Sequence, residues 1–99
     1  MGQVNGLVEL VTIPMAFSPN GDGLNDTFFP KFNTPTFYTM EIFNTWGERI
    51  FASTGAENHG WDGFFRGQIS SASNYFYQLT YTTLEGEVIF RSGGVTLIR

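Results

Sequence analysis

From Tyr75 to Thr83 the chain alternates with a period of two: Tyr75, Tyr77, Leu79 and Tyr81 fall on one side, Phe76, Gln78, Thr80 and Thr82 on the other. That is the signature of a strand packed on one face, and its aromatic content predicts a central place in a sheet. Tyr38, Met40 and Ile42 alternate in the same way with Thr39, Glu41 and Phe43. Asn44-Thr45-Trp46-Gly47 interrupts the pattern before Arg49, Ile50 and Phe51 resume it, so Tyr38 to Ala52 predicts a hairpin in which Gly47 supplies a positive φ. Leu7 to Ile13 is rich in β-branched residues and closed by Pro14, which suits a first strand at an edge. After a turn at Leu84-Glu85-Gly86, Glu87 to Arg91 and Val95 to Ile98 predict two further strands, with Gly93-Gly94 as the break between them. Trp61 to Phe65 predicts a short apolar piece behind an Asp62-Gly63 turn, where the carboxylate can bond an amide two residues on. The stretches 28–37, 53–60 and 66–74 lack alternation and predict connections. About seven strands, with turn signals about every 8–12 residues and no sustained helical period, indicate an all-β, immunoglobulin-like antiparallel β-sandwich.

Composition sharpens this picture in three ways. The 99 residues suffice for one core, so residues 3–99 form a single domain, with Met1 and Gly2 set aside as a start or cloning remnant. Eleven Phe, four Tyr and two Trp supply that core in a chain with no cysteine. The missing cysteines also remove disulfides, thiolate nucleophiles and Cys-based zinc sites. A net charge of -4 lacks the basic footprint of a nucleic-acid binder. No apolar run reaches the length of a membrane span, and no leader opens the chain, so an exported domain would carry its leader on a longer parent protein.

The richest chemistry lies in Ser18-Pro19-Asn20-Gly21-Asp22-Gly23-Leu24-Asn25-Asp26. Ser18, Asn20, Asp22 and Asp26 carry side-chain oxygens and Leu24 a backbone carbonyl, spaced as in the first nine positions of an EF-hand-type calcium loop. Ser18 stands where such a loop has Asp, and Phe29 where it has a bidentate Glu. Two formal charges predict weak calcium affinity, of order 10⁻⁴ to 10⁻³ M. The same residues also make Asx-turns that hold a loop without metal. An active site is harder to draw. The one histidine, His59, sits beside Gly60 in a polar stretch with nothing to orient it, and the pairs Asp22 with Asp26 and Glu85 with Glu87 lie in turn-rich or solvated settings. Trp46 and Trp61 each precede a turn element, which predicts rings swung inward to plug the ends of the sandwich. The alternative is stacking on sugar rings, as in a carbohydrate-binding or adhesive surface module.

Four segments in order carry a resemblance: Phe17 to Phe28, Ile42-Phe43-Asn44-Thr45-Trp46-Gly47 leading to Ile50-Phe51, Trp61-Asp62-Gly63, and Gly94-Val95-Thr96-Leu97-Ile98-Arg99. Together they resemble the gliding-motility-associated C-terminal domain, the type B sorting domain of the type IX secretion system. Two positions depart from that family: Ser71-Ala72-Ser73-Asn74 replaces its Pro and Gly before the aromatic strand, and Thr45 replaces an Arg. The resemblance implies a non-catalytic targeting module at the end of a large parent protein. It would be read by an outer-membrane component of the secretion machinery, and its parent would end secreted or on the cell surface by way of the periplasm. The residues it singles out for recognition are Asn20, Gly21, Asp22, Gly23, Trp46, Gly47, Trp61, Asp62, Gly63, Leu97, Ile98 and Arg99, with the loop and the C-terminal strand foremost.

Overall fold

The computed structural model describes residues 11–21, 26–33, 36–55 and 60–99, and within them every regular element is a strand. In chain order these are β1 (Val11–Thr12), β2 (Ala16–Phe17), β3 (Lys31–Phe32), β4 (Tyr38–Phe43), β5 (Arg49–Gly55), β6 (Phe64–Phe65), β7 (Gln68–Ile69), β8 (Ser73–Thr82) and β9 (Val88–Leu97). Five of them form one sheet in the order β2-β9-β8-β4-β5, which puts β8 at its centre as the alternation predicts. The β1–β3 pair, the β6–β7 hairpin and an isolated Phe28–Trp61 bridge bring a second layer against one face.

Period-two patterning decides which face is covered. Tyr38, Met40 and Ile42 on β4 and Tyr75, Leu79 and Tyr81 on β8 are buried, while their alternating neighbours are more exposed. Register puts these residues side by side: Tyr38 opposite Tyr81, Met40 opposite Leu79, and Ile42 opposite Tyr77. Each fully buried aliphatic side chain of this kind contributes about 1.5–3 kcal/mol. Rings from the second layer interlock with the tyrosines of the sheet. Phe32 lies 5.3 Å from Tyr38 and 5.0 Å from Tyr81 between centroids, and Phe28 lies 5.7 Å from Tyr77. Such tilted and edge-on pairs add attraction beyond their buried area.

The two long hairpins turn by the same device. At the first, Asn44 Oδ1 accepts hydrogen bonds from the Trp46 and Glu48 amides (3.0 and 2.9 Å), and Gly47 N–H donates to the Asn44 carbonyl at φ +84°. At the second, Thr83 Oγ1 accepts from the Glu85 and Glu87 amides, and Gly86 donates to the Thr83 carbonyl at φ +87°. One side chain thus replaces the partners that the turn's own backbone lacks.

Of the expected Leu7–Ile13 strand, Val11–Thr12 is formed, Ile13 lies past its end, and residues 7–10 lie outside the described residues. Three expectations need correction. Nine strands are formed among the described residues, and one pairing is parallel, β2 with β9. Gly93-Gly94 does not break β9, which runs unbroken opposite β8 from Val88 to Leu97. Gly93 answers a different need: a Cβ there would lie 2.9 Å from the Tyr77 hydroxyl and 3.0 Å from its ring, so the missing side chain makes room for Tyr77. Finally, the 66–74 stretch contains a tight hairpin, because Arg66 and Gly67 both hold positive φ (54° and 77°) and join β6 to β7 in the twisted turn that suits two-residue connections.

Candidate functional site

Three of the four sequence motifs meet at one end of the sandwich. Trp61 is fully buried, and its backbone pairs with Phe28 in both directions, Phe28 N–H to the Trp61 carbonyl at 2.8 Å and Trp61 N–H to the Phe28 carbonyl at 2.9 Å. Its ring lies 5.3 Å from Phe17 and edge-on to Tyr75 at 4.9 Å, while the indole N–H donates to the Phe64 carbonyl at 3.0 Å. The expected inward plug is therefore present, with its one polar atom satisfied. Asp62 Oδ1 accepts from the Phe64 amide at 3.0 Å, the two-residue turn the sequence predicts. Gly63 follows at φ +84°, buried, and a Cβ on it would sit 3.2 Å from Pro19 Cγ, 3.3 Å from Leu97 Cδ1 and 3.2 Å from Arg99 Nη2.

The C-terminal segment is fastened to the same place. Thr96 N–H donates to the Met15 carbonyl and Ile98 N–H to the Phe17 carbonyl, both at 2.9 Å, so β2 carries the start of the loop alongside the end of β9. Arg99 then reaches across, its Nη2 donating to the Ser70 and Gly63 carbonyls (2.9 and 3.2 Å) and its Nε to Ser70 (3.1 Å). Pro19, Gly63, Leu97 and Arg99 come from three distant segments, so this corner exists only in the folded chain. Leu97 is buried, whereas Ile98 remains about half exposed at 49%.

The loop that begins here is held by its own groups. Asn20 N–H donates to the Ser18 carbonyl at 2.8 Å, and Gly21, at φ +81°, donates its amide to Asp26 Oδ1 at 2.9 Å across five residues. Asp26 thus ties its side chain back to the start of the loop. Asp22, Gly23 and Leu24, the rest of the calcium set and of the recognition set in this loop, lie outside the described residues, as does His59. Among the described residues no three His, Cys, Asp or Glu side chains gather into one cluster.

Trp46 departs from expectation. It is 89% exposed at the tip of the β4–β5 turn, with Gly47 beside it, so the inward plug is wrong for this ring. Its backbone sits within the turn that Asn44 holds through the Trp46 amide. Sequence reasoning also passed over the β6–β7 hairpin, whose Gly63 and Ser70 carbonyls receive Arg99. The Arg66-Gly67 pair between Phe64-Phe65 and Gln68-Ile69 is the signal that marks it.

The fold resembles that of a crystal structure described as CopC from Methylosinus trichosporium OB3b, with a TM-score of 0.55 and 9% identity over 87% of this chain and 84% of that one. At that identity the likeness supports the sandwich architecture alone. No curated protein matches the sequence. A family profile, the CHU_C Type IX secretion signal domain, matches residues 11–97 and spans all three motifs at the corner up to Leu97. The chain belongs to the CHU_C Type IX secretion signal domain family.

Proposed function

We propose that this domain is a C-terminal sorting signal that sends a large parent protein, joined at its N-terminal side, across the outer membrane, and that it acts by recognition without catalysis. One observation carries the reading: Pro19, Gly63, Leu97 and Arg99 pack into a single corner although their segments are far apart in sequence. A surface of that kind tells a reader that the domain has folded. Because the surface is preformed, binding costs mainly side-chain ordering and polar desolvation, not the ordering of a whole chain. The partner is an outer-membrane component of the secretion machinery dedicated to this class of cargo, and the parent is delivered to the cell surface or beyond. Calcium held by Ser18, Asn20, Asp22, the Leu24 carbonyl and Asp26 would stiffen the adjoining loop and belongs to the same proposal.

The test is a fusion of residues 3–99 to a periplasmic reporter in a type IX-competent cell. Surface delivery of the reporter is the expected result, with Ile98→Asp blocking delivery while the purified domain keeps its melting temperature. A fusion that stays periplasmic while folded defeats the proposal. Delivery unaffected by Ile98→Asp removes the corner as the surface that is read.

A further inference from the structure

Between the β4–β5 turn and the β6–β7 hairpin lies an open cleft of about 340 Å³. Trp46 and Ile69, 89% and 64% exposed, line it together with the less exposed Ile50, Phe65 and Tyr75. The rest of the lining is uncharged and polar: Asn44, whose side chain is taken up by the turn, and Thr45, Gln68, Ser70, Ser71, Ser73 and Asn74. Among the described residues no hydrogen bond is made by the side chains of Thr45, Gln68, Ser70, Ser71 and Ser73. Asn74 takes the Thr96 hydroxyl on its Oδ1 at 2.8 Å, which orients the amide and leaves its two N–H donors for another acceptor.

Neither the fold nor the corner described above accounts for this arrangement. A free tryptophan ring in water forgoes the burial worth several kcal/mol that Trp61 obtains. Here it stands on a turn whose backbone donors are already satisfied by Asn44, so the ring is presented by a rigid support and is not a loose tip. The volume is at the small end of ligand pockets, suited to a compact ring and tight for a polypeptide strand with its side chains. With no charged lining residue, an ionic ligand would leave its charge unpaired, a costly outcome in a partly desolvated site. A flat apolar wall beside a rim of hydroxyls and amides matches one chemical class. A pyranose ring offers an apolar face of C–H groups to an indole and a girdle of hydroxyls to Ser, Thr, Asn and Gln.

We propose that this cleft binds a neutral saccharide, with Trp46 as the stacking platform and Gln68, Ser73 and Asn74 as hydrogen-bonding partners. On a domain delivered to the outside of a cell, such a site would let the parent adhere to surface polysaccharide after export. The inference goes beyond the sorting role, and the residues varied to test it differ from those of the sorting corner, so its failure leaves that role standing.

The experiment uses residues 3–99 in native gels cast with a neutral β-glucan, mannan or galactan, together with titration of tryptophan emission by cellohexaose, mannohexaose and galactohexaose. Retardation by at least one polymer is expected, with a blue shift of emission on adding the matching hexaose, because Trp46 leaves water while Trp61 is already buried. Trp46→Ala should abolish both signals with the melting temperature unchanged, Trp46→Phe should retain part of the retardation, and Gln68→Ala with Ser73→Ala should weaken it about tenfold or more. Absence of retardation by every neutral polymer overturns the proposal, and so does retardation that persists in Trp46→Ala. Loss of export in Trp46→Ala, from a domain that binds none of the saccharides, also overturns it and assigns the ring to a protein contact.

Discussion

Arg99 Nη2 donates to the carbonyl of Gly63 at 3.2 Å, and the space a Cβ on Gly63 would need ends 3.2 Å from the same nitrogen. The last residue of the chain and the last of the Trp61-Asp62-Gly63 motif are thus fitted to each other, with Pro19 and Leu97 closing the remaining sides.

Gly63→Ala is therefore expected to destabilise the domain more than Gly47→Ala, although both glycines hold φ +84°. The left-handed backbone alone costs an alanine about 1–2 kcal/mol, and nothing lies within 4 Å of a Cβ at Gly47. At Gly63 three neighbours must also give way. Urea denaturation of the two variants measures the difference, and equal losses would show that the corner is loosely packed.

Arg99→Ala should leave global stability within about 1 kcal/mol, since Arg99 is an exposed residue, yet loosen the β6–β7 hairpin it fastens. Ser70 N–H, which donates to the Gly63 carbonyl at 2.8 Å, reports on that hairpin. Its hydrogen exchange is expected to accelerate several-fold in Arg99→Ala and less in Arg99→Lys, while amides in β8 stay unchanged. Uniform acceleration throughout would mean that Arg99 acts on the whole fold.

The tryptophans should separate cleanly. Trp61→Phe removes the indole donor to the Phe64 carbonyl and leaves part of the volume between Phe17 and Tyr75 empty, at a cost of about 2–4 kcal/mol. Trp46→Ala should change stability by no more than about 0.5 kcal/mol. Thermal melts decide the matter, at roughly 4–8 °C per kcal/mol for a domain of this size.

Much of the architecture was legible because period-two patterning depends only on which residues prefer water. Tyr38 to Phe43 and Tyr75 to Thr82 announced their buried faces, and β8 its central place. The Asn44 and Asp62 turns were legible too, because a short polar side chain bonding nearby amides is local chemistry. What failed depended on distant partners. Nothing near Gly93 reveals that Tyr77 lies across from it, and so the glycine looked like a break. The same is true of the corner: its three motifs were visible, but which of their residues touch was not. Trp46 and Trp61 look alike in sequence, each preceding a turn element. Their fates differ because Trp61 pairs in both directions with Phe28, while the Trp46 amide is held by its own turn.

The glycine pair in β9 offers a matched contrast. Gly94→Ala meets only the Tyr75 carbonyl oxygen at 3.7 Å, an ordinary contact, and should be neutral or stabilising by up to about 1 kcal/mol through the less flexible unfolded chain. Gly93→Ala meets Tyr77 at 2.9–3.1 Å and should destabilise. Adding Tyr77→Phe, which removes the closest atom, is expected to recover part of that loss. If Gly93→Ala proves as benign as Gly94→Ala, Tyr77 shifts freely and the glycine has some other origin.

Asp26 allows the loop's two roles to be told apart. Its Oδ1 accepts the Gly21 amide, a bond that an asparagine side chain can still make and an alanine cannot, so Asp26→Ala should cost about 1 kcal/mol in chelator and Asp26→Asn much less. The proposed calcium ion would act on the charge instead. With a dissociation constant of order 10⁻⁴ to 10⁻³ M, about 1 mM calcium is expected to stabilise the wild type by about 0.4–1.4 kcal/mol, a rise of about 2–11 °C in melting temperature. In Asp26→Asn that rise should vanish although the loop remains closed. A wild-type melting temperature identical in chelator and in calcium would leave Asp26 with loop closure as its whole task.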